Sequence, residues 1–218
     1  MKNKIWQFVA VLVFSITVSS TSTANGKSPQ LSNWDFTVYL DNKKVGEHRF
    51  ELSEQDGTQR LQSEANFKYR FLFITAYTYE HRAAEQWAGN CLTALDATTN
   101  ANGKHSKVTG ELDGDVFVVD GDKHERELPQ CIMTFAYWNP EFLGQQRLLN
   151  PQTGEYVDVS VEKVGGETLE VRGSKVSATR FKLTADNIDV TLWYSTENEW
   201  LALESVAKGG RILRYELS

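Results

Sequence analysis

Apolar and polar residues alternate along most of this chain, and the alternation breaks at short intervals at pairs such as Asp56-Gly57, Asp113-Gly114, Asp120-Gly121 and Gly209-Gly210. A period of two lines one face of a pleated strand with every second residue. The Asp-Gly and Gly-Gly pairs supply the positive φ angles that tight hairpins need. Trp34, Phe36, Val38 and Leu40 alternate with Asp35, Thr37 and Tyr39, and Asp41-Asn42 turns that strand. Gly46, His48, Phe50 and Leu52 then oppose Glu47, Arg49 and Glu51. From Arg60 a long strand sets Leu61, Ala65, Phe67, Tyr69 and Phe71 against Gln62, Glu64, Asn66, Lys68 and Arg70. It turns wholly apolar at Phe71-Leu72-Phe73-Ile74, where it is expected to bend or leave the sheet. Thr75 to Trp87 alternates again, with Tyr77, Tyr79, His81, Glu85 and Trp87 on one parity.

Strands continue through Cys91–Leu95, Lys104–Glu111 and Val116–Val119, then through Val157–Val161, Thr168–Arg172, Val176–Ala185, Ile188–Tyr194, Trp200–Ala207 and Ile212–Leu217. Gly165-Gly166 is read as a turn in this series. The count is roughly eleven or twelve strands, and a sheet that large curls or splits. The expected fold is all-β: one large curved antiparallel sheet, open or closed into a barrel.

One stretch departs from the pattern. Cys131 to Gly154 holds two of the four prolines and the aromatic cluster Phe135, Tyr137 and Trp138. Asn139-Pro140 reads as an N-cap followed by proline at the first helical position, with Gly144 ending a helix of one turn near Pro140–Leu143. Asn150-Pro151-Gln152-Thr153-Gly154 reads as a turn launching a new strand. The region near residues 134–150 is therefore expected to be a short helical crossover between two β-halves.

Residues 1–24 have the form of a secretory signal. Lys2 and Lys4 precede an apolar run, Ile5 to Val18, that is short for a membrane span, and Ser22-Thr23-Ala24 is a small-x-small cleavage site. Cleavage after Ala24 leaves residues 25–218 as a single antiparallel β domain of about 190 residues, destined for the periplasm and not an integral membrane protein. The net charge is −6, and −8 once Lys2 and Lys4 are removed. An acidic chain without a basic cluster is a poor match for nucleic acid or anionic lipid surfaces. Cys91 and Cys131 are the only cysteines. In an oxidising compartment the expectation is that they pair, the alternative being two buried thiols.

No serine elbow, phosphate loop or EF-hand pattern is present, and His48, His81, His105 and His124 are scattered singletons, so neither a metal nor a cofactor is expected. What remains is the inward parity itself. His81 and Glu85 sit among Tyr77, Tyr79 and Trp87, and His48 shares the parity of Phe50 and Leu52. Polar groups facing inward need partners. Either they form a satisfied structural network, or they line a pocket with aromatic walls and a few fixed polar groups, as small-ligand sites do. The expected lining is Tyr77, Tyr79, His81, Glu85, Trp87 and His48, with Phe135, Tyr137 and Trp138 from the crossover. Trp193, Trp200 and Tyr215 are further candidates for its walls.

Several runs carry a family resemblance: Asn33–Asp41 with Gly46–Phe50, Phe71–Ile74 with Tyr77–His81, Thr134–Pro140 with Leu148–Gly154, and Leu192–Ser195 with Trp200–Leu203. Over essentially the whole mature chain the sequence resembles an uncharacterised family of exported bacterial proteins, a domain of unknown function. The resemblance brings no activity. Its strand layout is similar to lipocalin-like barrels and lipoprotein carriers, which is an analogy of fold. Three functions follow as expectations. The first is a periplasmic module binding a lipid-like or other apolar small molecule in the concave face. The second is an envelope assembly protein docking a peptide or an unidentified protein partner. The third, less favoured, is an enzyme on the same scaffold.

Overall fold

The computed structural model describes residues 30–71, 74–121, 125–207 and 209–218. The signal segment, Leu72 and Phe73 of the Phe71–Ile74 run, and His124 lie outside the described residues. Among the described residues fifteen strands occur in chain order: β1 (Gln30–Leu40), β2 (Lys43–Gln55), β3 (Thr58–Phe71), β4 (Ile74–Ala88), β5 (Cys91–Ala101), β6 (Lys104–Asp113), β7 (Val116–Asp120), β8 (Arg126–Pro129), β9 (Arg147–Leu149), β10 (Tyr156–Asp158), β11 (Ser160–Val171), β12 (Ser174–Ala185), β13 (Ile188–Ser195), β14 (Trp200–Ala207) and β15 (Arg211–Leu217). Thirteen of them form one antiparallel sheet, in the order β11-β12-β13-β14-β15-β1-β2-β3-β4-β5-β6-β7-β8.

The turns follow from their residues. Asp41-Asn42, Asp56-Gly57, Asn102-Gly103 and Arg172-Gly173 all have positive φ at both positions, the geometry of two-residue hairpins that match the strand twist, and Gly209-Gly210, also at positive φ, lies in the longer connection between Ala207 and Arg211. Gly165-Gly166 does not turn the chain. β11 runs straight through it, because Lys163 and Gly165 pair with consecutive residues of β12 and Val164 bulges out. The glycine pair relaxes a β-bulge here instead of closing a hairpin.

β1 sits in the middle of the sheet. It pairs with β2 on one side and with the last strand, β15, on the other. Two meanders therefore run outward from a shared centre and end at two far edges, β8 and β11, and the sheet is open. Residues 130–159 cross from one edge to the other. Their path shows how strongly the sheet curls. Trp138 packs edge-on against Trp87 of β4, with centroids 5.5 Å apart, while the adjacent Tyr137 packs against Trp200 of β14 at 5.4 Å. β4 and β14 are five strands apart in the sheet. Laid flat they would be roughly 24 Å apart at the usual interstrand spacing. Neighbouring residues reach both only because the sheet wraps around them.

The crossover fills much of the concave side. Ile132, Met133, Phe142, Leu148 and Leu149 are essentially fully buried and join one core with Phe36, Trp87, Leu92, Phe117, Tyr194 and Trp200 from the sheet. Burying side chains of this size contributes about 1.5–3 kcal/mol each. The expected helical turn is a 3₁₀ turn at Pro140–Gly144, capped by Asn139, whose side chain accepts from the Glu141 N–H. The Asn150–Gly154 turn leads into β10, which pairs with β9 as a separate small sheet. Cys91 and Cys131 form a disulfide that ties the start of β5 to the start of the crossover. The Leu92 N–H donates to the Ile132 carbonyl beside it.

Candidate functional site

The space left between the crossover and the sheet is a cavity of about 420 Å³, within the ~300–1,000 Å³ range of small-molecule sites. Its floor comes from β2, β3 and β4, where the register sets side chains in cross-strand rows. One row runs Phe36, His48, Ala65, His81, Thr99 across β1 to β5. The next runs Phe50, Ser63, Ala83, Ala97. On the other flank of the histidine row, Phe67 stacks on Tyr79 with centroids 5.3 Å apart. Small residues in the middle of these rows leave the room, and rings on either side wall it.

Register decides whether the parity argument holds. A β-bulge does occur in β4, but at Ala76: Tyr69 pairs with Tyr77 and Arg70 with Thr75. From Tyr77 onward the strand is regular, so Tyr79, His81, Ala83 and Glu85 all point inward and line the cavity. Tyr77 also lines it but is 42% exposed, at the rim. His48 lines the floor, and Phe135, Tyr137 and Trp138 form the roof. Trp87 does not line the cavity. It shares the parity but is fully buried behind Glu85, where its indole donates to Glu85 Oε2 at 3.0 Å. Of the three further candidates, Trp200 and Tyr215 line the walls. Trp193 points away and donates to Glu167 on β11.

Ser63, Phe67, Asn150, Gln152 and Asn187 also line the cavity, and sequence reasoning did not single them out. Ser63 and Phe67 share the parity of Leu61 on the adjacent strand, so that signal was present. Asn150, Gln152 and Asn187 are turn residues, whose long-range placement no periodicity encodes.

The polar groups are paired where possible. His48 Nε2 lies 2.8 Å from Ser63 Oγ, and its Nδ1 lies 3.3 Å from the Tyr215 hydroxyl. His81 Nδ1 lies 2.9 Å from Thr99 Oγ1. Burial, with a smaller push from His81, lowers the His48 pKa to about 3. Burial lowers that of His81 to about 4, against a small opposing pull from the Thr98 carbonyl. Both rings are neutral at neutral pH. Burial raises Glu85 to about 7, with Thr134 and the Trp87 indole pulling it back only in part. The Thr134 hydroxyl sits close to this carboxyl without a hydrogen bond of sound geometry, and the Trp138 N–H is likewise buried without an acceptor. Burial also pushes the phenols of Tyr79, Tyr137 and Tyr215 upward, so they remain protonated donors.

His81 and Glu85 do not form a catalytic pair. Four residues apart on a regular strand, they stand about 13 Å apart along its axis, and each has a different partner. Among the described residues no cluster of three or more His, Cys, Asp or Glu side chains is placed to hold a metal.

No curated protein matches this chain. Among solved structures it is similar to a β-barrel-like protein of the domain of unknown function DUF1849 from Brucella abortus, with a TM-score of 0.61 and 10% identity over 87% of this chain and 95% of that one. At that identity the likeness is one of fold. The model of a further family, described as Domain of unknown function (DUF6134), matches residues 36–218, so the chain belongs to that uncharacterised family.

Proposed function

We propose that this chain is an exported, periplasmic binding protein that holds an apolar or amphipathic small molecule in the cavity between the sheet and its crossover. The observation that carries the reading is the make-up of the cavity. Nine aromatic side chains line it together with a few inward polar groups: Ser63, His48, His81 and Glu85. A core built for stability alone is filled with Leu, Ile and Val, and buries no polar group that needs a partner. Here the floor carries Ser63 and Ala83 where larger side chains would close the space. The Cys91–Cys131 bond supports an oxidising destination. No helix among the described residues is long and apolar enough to cross a membrane, and the signal-like segment supports export.

The crossover favours a small molecule over a docked peptide. Its buried Phe142, Leu148 and Leu149 already occupy much of the concave face, and what is left is a bounded volume instead of a long groove. The test is native mass spectrometry of protein purified from its own envelope, with solvent extraction and identification of whatever is released. A stoichiometric small molecule is expected. Ala83→Phe, which fills the floor, should abolish its retention while leaving the circular dichroism spectrum unchanged. A protein that carries nothing, or whose cargo survives Ala83→Phe, would refute the reading.

A further inference from the structure

We infer that the cavity takes a molecule whose buried polar end is uncharged, such as a hydroxyl, amide or ring carbonyl, and that it rejects carboxylate and phosphate head groups. The inference rests on the reading of the cavity as a ligand site and adds the chemical class of the occupant. No lysine or arginine is among the described residues that line it, although the chain has 23 of them. Several of them pair with acids at the surface instead. Arg49 pairs with Asp35, Arg82 with Glu64 and Arg147 with Asp158, with both side chains substantially exposed in each pair.

A buried anion needs a cation or several aligned N–H donors, and an unpaired charge in such a site costs far more than an unpaired hydrogen bond. Neither compensation is on offer. The one helical turn of the crossover already has its first N–H groups engaged by Asn139. The side chain in the lining that does carry charge, Glu85, is itself acidic. The histidines, held neutral by burial, supply no positive charge. A neutral polar end meets the opposite situation: the Ser63 hydroxyl, the phenols of Tyr79, Tyr137 and Tyr215, and imidazole nitrogens can each donate or accept. A fixed cation would have to share Glu85, as its counter-ion, with the Trp87 indole that donates to Oε2.

Three probes with the same twelve-carbon chain separate the possibilities: monolaurin, laurate and dodecyltrimethylammonium. Each is titrated below its micelle concentration into delipidated mature protein at pH 8, followed by calorimetry and tryptophan fluorescence. Monolaurin is expected to bind at least tenfold more tightly than either charged probe. In Ser205→Lys, which places an ammonium in the lining away from the paired groups of the floor, laurate should gain at least tenfold relative to monolaurin. Laurate binding as tightly as monolaurin in the wild type overturns the inference and leaves the ligand-site reading standing. Tightest binding of dodecyltrimethylammonium also overturns it and reassigns Glu85 as a counter-ion. A folded Ser205→Lys protein in which laurate gains nothing relative to monolaurin overturns it as well. Failure of all three probes to bind overturns both this inference and the ligand-site reading.

Discussion

Replacing Glu85 with glutamine tests the electrostatics of the cavity wall directly. Burial moves the titration midpoint of this carboxyl from 4.5 to about 7. Between those values the folded protein holds a proton that the unfolded chain has released. The folded state therefore binds more protons, and stability falls as pH rises through the window. At 1.36 kcal/mol for each tenfold change in proton affinity, the full displacement is worth about 3 kcal/mol. At pH 5 about 1 kcal/mol of that loss is present, and at pH 8 nearly all of it. Glutamine matches the shape of the protonated acid, and its carbonyl can still accept from the Trp87 indole, but it cannot ionise. Glu85→Gln should therefore be more stable than the wild type at pH 8, and the gain should be about 2–3 kcal/mol larger at pH 8 than at pH 5. For a domain of this size that corresponds to roughly 4–12 °C in melting temperature. Urea unfolding of both proteins at pH 5 and pH 8, at constant ionic strength, gives the comparison. A stability difference that is the same at both pH values would show that the carboxyl is not held in a desolvated site, and the reasoning would fail.

His81 acts in the opposite sense: its folded value lies below the unfolded one, so the stability it contributes is present above pH 6.5 and is lost as pH falls toward about 4. By pH 5 about 2 kcal/mol is lost, and His81→Leu should flatten that part of the acid limb in urea titrations at stepped pH. Replacing Cys91 and Cys131 together with serine reopens a loop spanning 40 positions and should cost about 3–4 kcal/mol in the chain-entropy model, read as a lower denaturation midpoint. At Gly46 a Cβ would lie 1.8 Å from the Asn66 carbonyl oxygen on the neighbouring strand, so Gly46→Ala should destabilise by about 2–3 kcal/mol through forced separation of β2 and β3, measured by thermal unfolding.

Much of the fold was legible because hairpins are local. Asp56-Gly57 and Gly209-Gly210 dictate their turns through backbone conformation alone, and alternation then assigns faces. The cysteine pair, the proline-led helical turn and the parity of Tyr79, His81 and Glu85 were readable for the same reason. Gly165-Gly166 was misread because a glycine pair serves a bulge as well as a turn, and only the partner strand decides between them. The strands β8 and β9 were too short to show a period, and the alternation over Val157–Val161 was read as one strand although it breaks at Val159 between β10 and β11, which belong to different sheets. Whether thirteen strands close or stay open depends on the approach of β8 and β11, edges 30 residues apart in sequence, about which alternation carries no information.

The site was legible by face and not by depth. Parity put Trp87 with His81 and Glu85, yet it could not show that Trp87 seals the floor while Glu85 meets the cavity. That difference comes from the crossover, whose Trp138 packs edge-on against Trp87 and caps it. The cavity itself arises from small residues. Ala65 separates His48 from His81 in one row, and Ser63 with Ala83 follows Phe50 in the next. A leucine at Ser63 or Ala83, both in the lining, would suit a strand equally well and would fill the space. A sequence under pressure for stability alone has no reason to place alanine and serine between aromatic walls, nor to bury two histidines and a glutamate whose ionisation each opposes burial. Each of these choices costs folding free energy at one and the same place. That concurrence, more than any single residue, is what supports the proposal that the β2–β4 floor is a binding surface.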